Sequence, residues 1–90
     1  MQMKVITRYC IPKAEEVTKL VVPAGGDVVD FMWVSGAFYL WMIEPVENNP
    51  ATSKDFIVVS TGTPVEMRWR YLGTAHDHST FTWHLFEMKS

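Results

Sequence analysis

Turn-forming residues interrupt the chain at about every eight to twelve positions, and the segments between them are rich in β-branched and aromatic side chains. This pattern is typical of an antiparallel β domain, because such side chains fit the pleated surface of a strand. It predicts an all-β fold, either a small antiparallel sandwich or a partly open barrel of six to seven strands. The ninety residues correspond to a single β domain over residues 1–90.

The predicted strands cover residues 4–10, 17–22, 27–34, 37–44, 55–61, 65–72 and 80–88. The clearest hairpin joins the third and fourth of these strands through Ser35 and Gly36, since a short link containing glycine suits a tight turn. Residues 45–54 lack periodicity and are expected to form an exposed loop. Residues 13–16 have the composition of a single helical turn, and a helix over residues 13–20 is the main alternative to the all-strand interpretation.

The predicted hairpin is apolar on both of its faces. Side chains alternate along a strand, so Phe31 and Trp33 are expected on one face, with Val28 and Met32 on the other. A strand that is apolar on both faces is either central in a two-layer core or covered by a partner. The hairpin is therefore the first candidate for an interface. Its candidate interface residues are Phe31, Trp33, Tyr39 and Trp41.

Alternation also assigns faces to the last two predicted strands. It turns Met67 toward the core and Arg68 and Arg70 toward solvent, and it places Phe81 on the core face of the seventh strand. The two arginines make a small positive patch on an acidic protein. Together with His84 they are the candidate anion-binding residues, because guanidinium groups suit bidentate recognition of anions.

Local signatures of catalysis are absent from the sequence. Nucleophilic catalysis needs a nucleophile, a base and an orienting group, whereas Cys10 lies in an apolar strand and is expected to be a buried small hydrophobe. Gly62 lacks the companion glycines and the lysine of a phosphate-binding loop. The chain is therefore expected not to be an enzyme and to need no cofactor.

Three histidines raise the question of a metal site. His76, His78 and His84 could hold a zinc ion with Asp77 or Glu87 as a further ligand. However, the first two lie where a turn is expected, so two solvated turn histidines and one strand histidine are the simpler interpretation. No metal site is predicted.

Eight basic and ten acidic residues are spread along the chain without a block of like charge. This distribution indicates neither nucleic-acid binding nor adhesion to anionic lipid. No segment approaches the roughly 18–20 consecutive apolar residues of a membrane helix. The N-terminal residues reach Thr7 and Arg8 too soon for a signal peptide, so an intracellular location is expected.

Several sequence blocks resemble a family of short proteins found in bacteriophage genomes. The most specific block is Trp-His-Leu-Phe-Glu at residues 83–87. Further blocks similar to the family are Phe56 with Ser-Thr-Gly at 60–62, Tyr-Leu-Gly-Thr at 71–74, Val-Pro-Ala-Gly at 22–25 and Leu-Trp-Met-Ile-Glu-Pro at 40–45. The resemblance implies a phage origin, a compact β domain and action in the host bacterial cytoplasm. Because that family is a domain of unknown function, it implies no catalytic or binding residue.

The predicted function is that of a phage-encoded, non-enzymatic accessory protein that binds and modulates a host bacterial protein, for example as an inhibitor of a defence factor. The excess of Trp, Tyr and Met supports this prediction, since interface centres favour these residues. The same excess predicts a homo-oligomer. The alternative is an oligomer that sequesters a small nucleotide or another anion near Arg68, Arg70 and His84.

Overall fold

The computed structural model describes residues 2–47 and 49–89 of the chain. These residues form seven β-strands in two antiparallel sheets. The strands are β1 (Lys4–Ile11), β2 (Thr18–Pro23), β3 (Asp27–Val34), β4 (Ala37–Pro45), β5 (Ala51–Ser60), β6 (Arg70–His76) and β7 (Thr82–Glu87). The predicted all-β sandwich is confirmed, and residues 13–16 form a turn instead of a helix.

The two sheets have the strand orders β1-β4-β3 and β2-β5-β7-β6. The predicted hairpin between β3 and β4 is confirmed, with Val34 paired to Ala37. Its two loop residues, Ser35 and Gly36, have φ angles of 50° and 90°. Positive φ at both central positions matches the turn whose twist suits antiparallel strands. Within the two described ranges, no helix is long and apolar enough to cross a membrane.

The core lies between the sheets, and burial alternates residue by residue along β4. The inward side chains of this central strand are Phe38, Leu40, Met42 and Glu44, each at most 7% exposed. The facing sheet contributes buried residues from β5 and β7. The largest fully buried side chains are Phe56, Ile11, Leu40, Met42, Leu85, Val22 and Val58.

A β-bulge at Val29 changes the faces predicted for β3. The pairing with β4 passes from Val28–Met42 to Asp30–Trp41, which leaves Val29 without a partner. Since a bulge inserts one extra residue, alternation restarts after it. Val28 therefore packs against the core, and the prediction that it shares a face with Met32 is wrong.

The sixth strand begins five residues later than predicted, at Arg70 instead of residue 65. Its pairing with β7 continues through Gly73, which lies opposite Leu85. A Cβ atom at Gly73 would lie 3.4 Å from the Cβ of Phe31, so glycine lets this strand approach the other sheet closely. Met67 precedes the strand and is fully exposed, while Phe81 precedes β7 and is 60% exposed. Their predicted core positions are therefore wrong.

Glu44 is the acidic residue on the inner face of the three-stranded sheet, where it is 7% exposed. Its carboxylate accepts a 2.6 Å hydrogen bond from the Thr7 hydroxyl and a 2.8 Å bond from the Tyr9 hydroxyl. Burial, together with the hydrogen bond and charge of Glu44, raises the pKa of Tyr9 from 10.0 to about 12. The phenol is therefore held in its neutral, proton-donating form.

This raised pKa predicts a loss of stability in alkaline solution. An unfolded tyrosine ionises near pH 10, whereas Tyr9 of the folded chain keeps its proton until about pH 12. Its contribution is fully present below pH 10 and is lost as the pH rises to about 12. Urea unfolding at successive pH values should show a shallower alkaline decline in Tyr9→Phe than in wild type. Tyr71→Phe, which changes an exposed phenol, should decline as wild type does; equal curves for all three proteins would contradict the expectation.

Candidate protein-binding face

The outer face of the three-stranded sheet points away from the core and from the other sheet. We call it the open face. Strand register and alternation assign thirteen residues to it. They are Lys4, Ile6, Arg8 and Cys10 on β1, Ala37, Tyr39, Trp41, Ile43 and Pro45 on β4, and Asp27, Asp30, Met32 and Val34 on β3.

An apolar stripe runs along β4 through the middle of the open face. Tyr39, Trp41 and Ile43 are half-buried there, because strands flank β4 on both sides. The edge strands widen the stripe with Ile6, which is 57% exposed, and Met32, which is 45% exposed. Large apolar side chains are thus grouped on a surface that the core does not use.

Register places the residues of the open face in rows that cross the sheet. In the central row, Trp41 has Arg8 on one side and Asp30 on the other. The Arg8 guanidinium carbon lies 4.5 Å from the centroid of the Tyr39 ring, a distance typical of a cation–π contact. This contact holds the arginine over the stripe, where its charge is available at the surface.

The aromatic residues predicted for an interface divide between two faces. Tyr39 and Trp41 lie on the open face. Phe31 is 3% exposed in the core, and Trp33 packs edge-on against Phe38 with ring centroids 4.9 Å apart. Phe31 and Trp33 therefore stabilise the sandwich instead of the predicted interface, because their alternation turns them toward the facing sheet.

Cys10 also departs from its predicted environment. Its neighbours Tyr9 and Ile11 turn inward, so the thiol of Cys10 lies on the open face opposite Tyr39 and is exposed. The expectation of a buried small hydrophobe is wrong because β1 is an edge strand whose outer side has no covering layer.

The three candidate anion-binding residues are not brought together. Arg68 precedes β6 and forms a 3.1 Å ion pair with Glu66. Arg70 lies opposite Glu87, whereas His84 lies opposite Thr74 on the other face of the sheet.

Arg68 also lines a cleft of about 350 Å³. Among the other lining residues are Lys54, Lys89, Asp55 and Glu87. Glu87 lies 3.2 Å from the Lys89 ammonium group. The cleft therefore mixes carboxylates with cations, which does not favour an anion.

His84 instead links β7 to β6 and to the turn after β5 through hydroxyl groups. Its two ring nitrogens lie 2.9 Å from the Thr74 hydroxyl and 2.8 Å from the Thr61 hydroxyl, and Thr74 in turn contacts Tyr71 at 2.5 Å. Sequence reasoning missed both threonines, because their position beside the histidine depends on pairing between distant segments.

The other two histidines have separate neighbours. The His76 Nδ1 lies 3.1 Å from the Thr82 hydroxyl, and the His78 ring lies 5.9 Å from that of Trp33. Nearby, Asp77 accepts hydrogen bonds from Ser79 and from the Trp83 indole, and these bonds lower the pKa of its carboxyl. No group of three metal-ligating side chains occurs within residues 2–47 and 49–89.

These features define a small β-sandwich in which the outer face of the three-stranded sheet carries an apolar stripe, with opposite charges on its two edge strands. The chain belongs to a family described as a domain of unknown function (DUF7352), whose model matches residues 3–90. Comparisons with curated proteins and with solved structures find no match.

Proposed function

We propose that the chain is a non-enzymatic protein-binding module that acts through the open face. The observation that carries this proposal is the apolar stripe of Tyr39, Trp41 and Ile43, which lies outside the core and is extended by the exposed side chains of Ile6 and Met32. Contiguous apolar surface of this kind marks interaction sites in soluble proteins.

The composition of the open face supports a protein partner over a small ligand. Interface centres are enriched in Trp, Tyr and Met and are surrounded by polar rims. Here Trp41 occupies the centre, while charged residues occupy the edge strands. A sheet face also offers side chains across several strands at once, whereas small-molecule sites are concave and enclose their ligand.

The resemblance to short phage proteins extends the proposal to the biological target. A host bacterial protein is then the molecule that the open face would bind and modulate. One of the resembling blocks, Leu40-Trp41-Met42-Ile43-Glu44-Pro45, lies within β4 and so contributes the centre of the open face.

Site-specific photo-crosslinking in bacterial cells tests the proposal. A photoreactive phenylalanine in place of Trp41 is expected to give discrete protein adducts, because the side chain at this position lies within contact distance of any bound partner. The same residue in place of Val21, which is 66% exposed on β2 of the other sheet, is the matched control and should give none of these adducts.

A second substitution checks that formation of the adducts depends on the open face around position 41. Adding Ile6→Asp places a charge beside the stripe and should remove the adducts formed from position 41, because burying an unpaired carboxylate is costly. An absence of adducts to a foreign protein from position 41, or the same adducts from position 21, would refute the proposal. Mass spectrometry of the adducts identifies the partner.

A further inference from the structure

Basic and acidic side chains of the open face lie on opposite edges of it. Lys4 and Arg8 belong to β1, and Asp27 and Asp30 belong to β3. None of these four forms an ion pair with another described residue. Within one chain, the backbones of Arg8 and Asp30 are separated by two strand spacings, about 9–10 Å, with Trp41 between them.

We propose that the open face binds the open face of a second copy of this chain, about a two-fold axis that runs along β4. Rotation about this axis lays β1 of one copy over β3 of the other, while the two β4 strands face each other. Arg8 then faces Asp30 of the second copy, and symmetry forms the reciprocal pair. This inference rests on the protein-binding function proposed above and adds a second copy of the chain, beside the host protein, as an occupant of the open face.

The charges select this axis over the other two-fold axis that brings the two faces together with their strands aligned. A two-fold axis running across the strands would lay β1 over β1 and β3 over β3. Arg8 and Lys4 would then approach the same basic residues of the second copy, and Asp27 and Asp30 the same acidic ones. Juxtaposed like charges oppose association, whereas the axis along β4 makes every edge complementary. Both axes keep the strands of the two sheets nearly aligned, as in β-sandwiches, so the charges make the difference.

The area of the open face is in the range of weak, transient interfaces. Three strands about 4.8 Å apart and about eight residues long cover roughly 400 Å² of flat surface per copy. Even when protruding side chains are included, the surface area buried on both copies together is near or below roughly 1,200 Å², the lower end for specific interfaces. The dimer is therefore reversible, with a dissociation constant in the micromolar range. A host protein that binds the same face more tightly would displace the second copy.

Sedimentation equilibrium with two charge reversals tests the inference. Wild type should pass from monomer to dimer across about 1–500 µM, the range expected for an interface of this size. Arg8→Asp and Asp30→Arg should each weaken self-association by about tenfold or more, because both reciprocal contacts become repulsive. Mixed together, the two variants should form a heterodimer, since each supplies the charge that the other needs.

Lys13→Asp, which makes the same charge change in the turn before β2, should dimerise as wild type does. Circular dichroism of each variant confirms that it is folded. The proposed dimer would be contradicted if wild type stayed monomeric across this concentration range, or if the mixture of the two charge-reversal variants stayed monomeric. If adducts to a foreign protein still form from position 41, the proposed protein-binding function survives that result; if no adducts form, it fails as well.

Discussion

Phe56→Ala is expected to lower the free energy of unfolding by about 3–5 kcal/mol, the range for truncating a large aromatic side chain in a core. Phe56 is fully buried on β5, the strand between β2 and β7 in the four-stranded sheet. Strands on both sides limit how far the site can collapse around the cavity. For a chain of this length, the expected loss is a large part of the total stability.

Urea unfolding followed by circular dichroism measures this loss. Phe81→Ala is the matched control, because it removes the same side chain from a position that is 60% exposed in the loop before β7. Its effect should stay within about 1 kcal/mol. Similar losses for the two variants would contradict the placement of Phe56 in the core and of Phe81 at the surface.

The elements that depended on local chemistry were predictable from the sequence. Asp27–Val34 was predicted with its observed ends, and the following turn was identified from Ser35 and Gly36. The extent of β6 was not predictable, because the strand is defined by hydrogen bonds to β7. The pairing of Gly73 depends on the position of β7, which the sequence of β6 alone does not indicate.

The segment that contains the candidate interface was predictable from the sequence, but the side of the sheet that forms the interface was not. The apolar residues on both faces of the hairpin indicated more apolar surface than a single core layer covers. It did not indicate which side of the hairpin the other sheet would cover. Consequently Phe31 and Trp33 were grouped with Tyr39 and Trp41, although the first pair belongs to the core side. The bulge at Val29 also changes which side chains of β3 face the core, and no residue type in the segment indicates a bulge.

Phe31→Ala and Met32→Ala are expected to have opposite consequences although the two residues are adjacent on β3. Phe31 is 3% exposed and its ring stacks on Phe38 with centroids 5.4 Å apart, so its truncation should cost about 3–5 kcal/mol of unfolding free energy. Met32 is 45% exposed on the open face, and its truncation should cost about 1 kcal/mol or less.

Binding should show the reverse order. Met32→Ala removes apolar surface from the open face and should weaken self-association while the chain stays folded. Phe31→Ala leaves the open face unchanged, so the fraction of chain that remains folded should associate as wild type does. Urea unfolding at low protein concentration and sedimentation at high concentration separate the two effects. A stable Phe31→Ala together with an unfolded Met32→Ala would show that β3 turns its other side to the core, and the open face would then have to be reassigned.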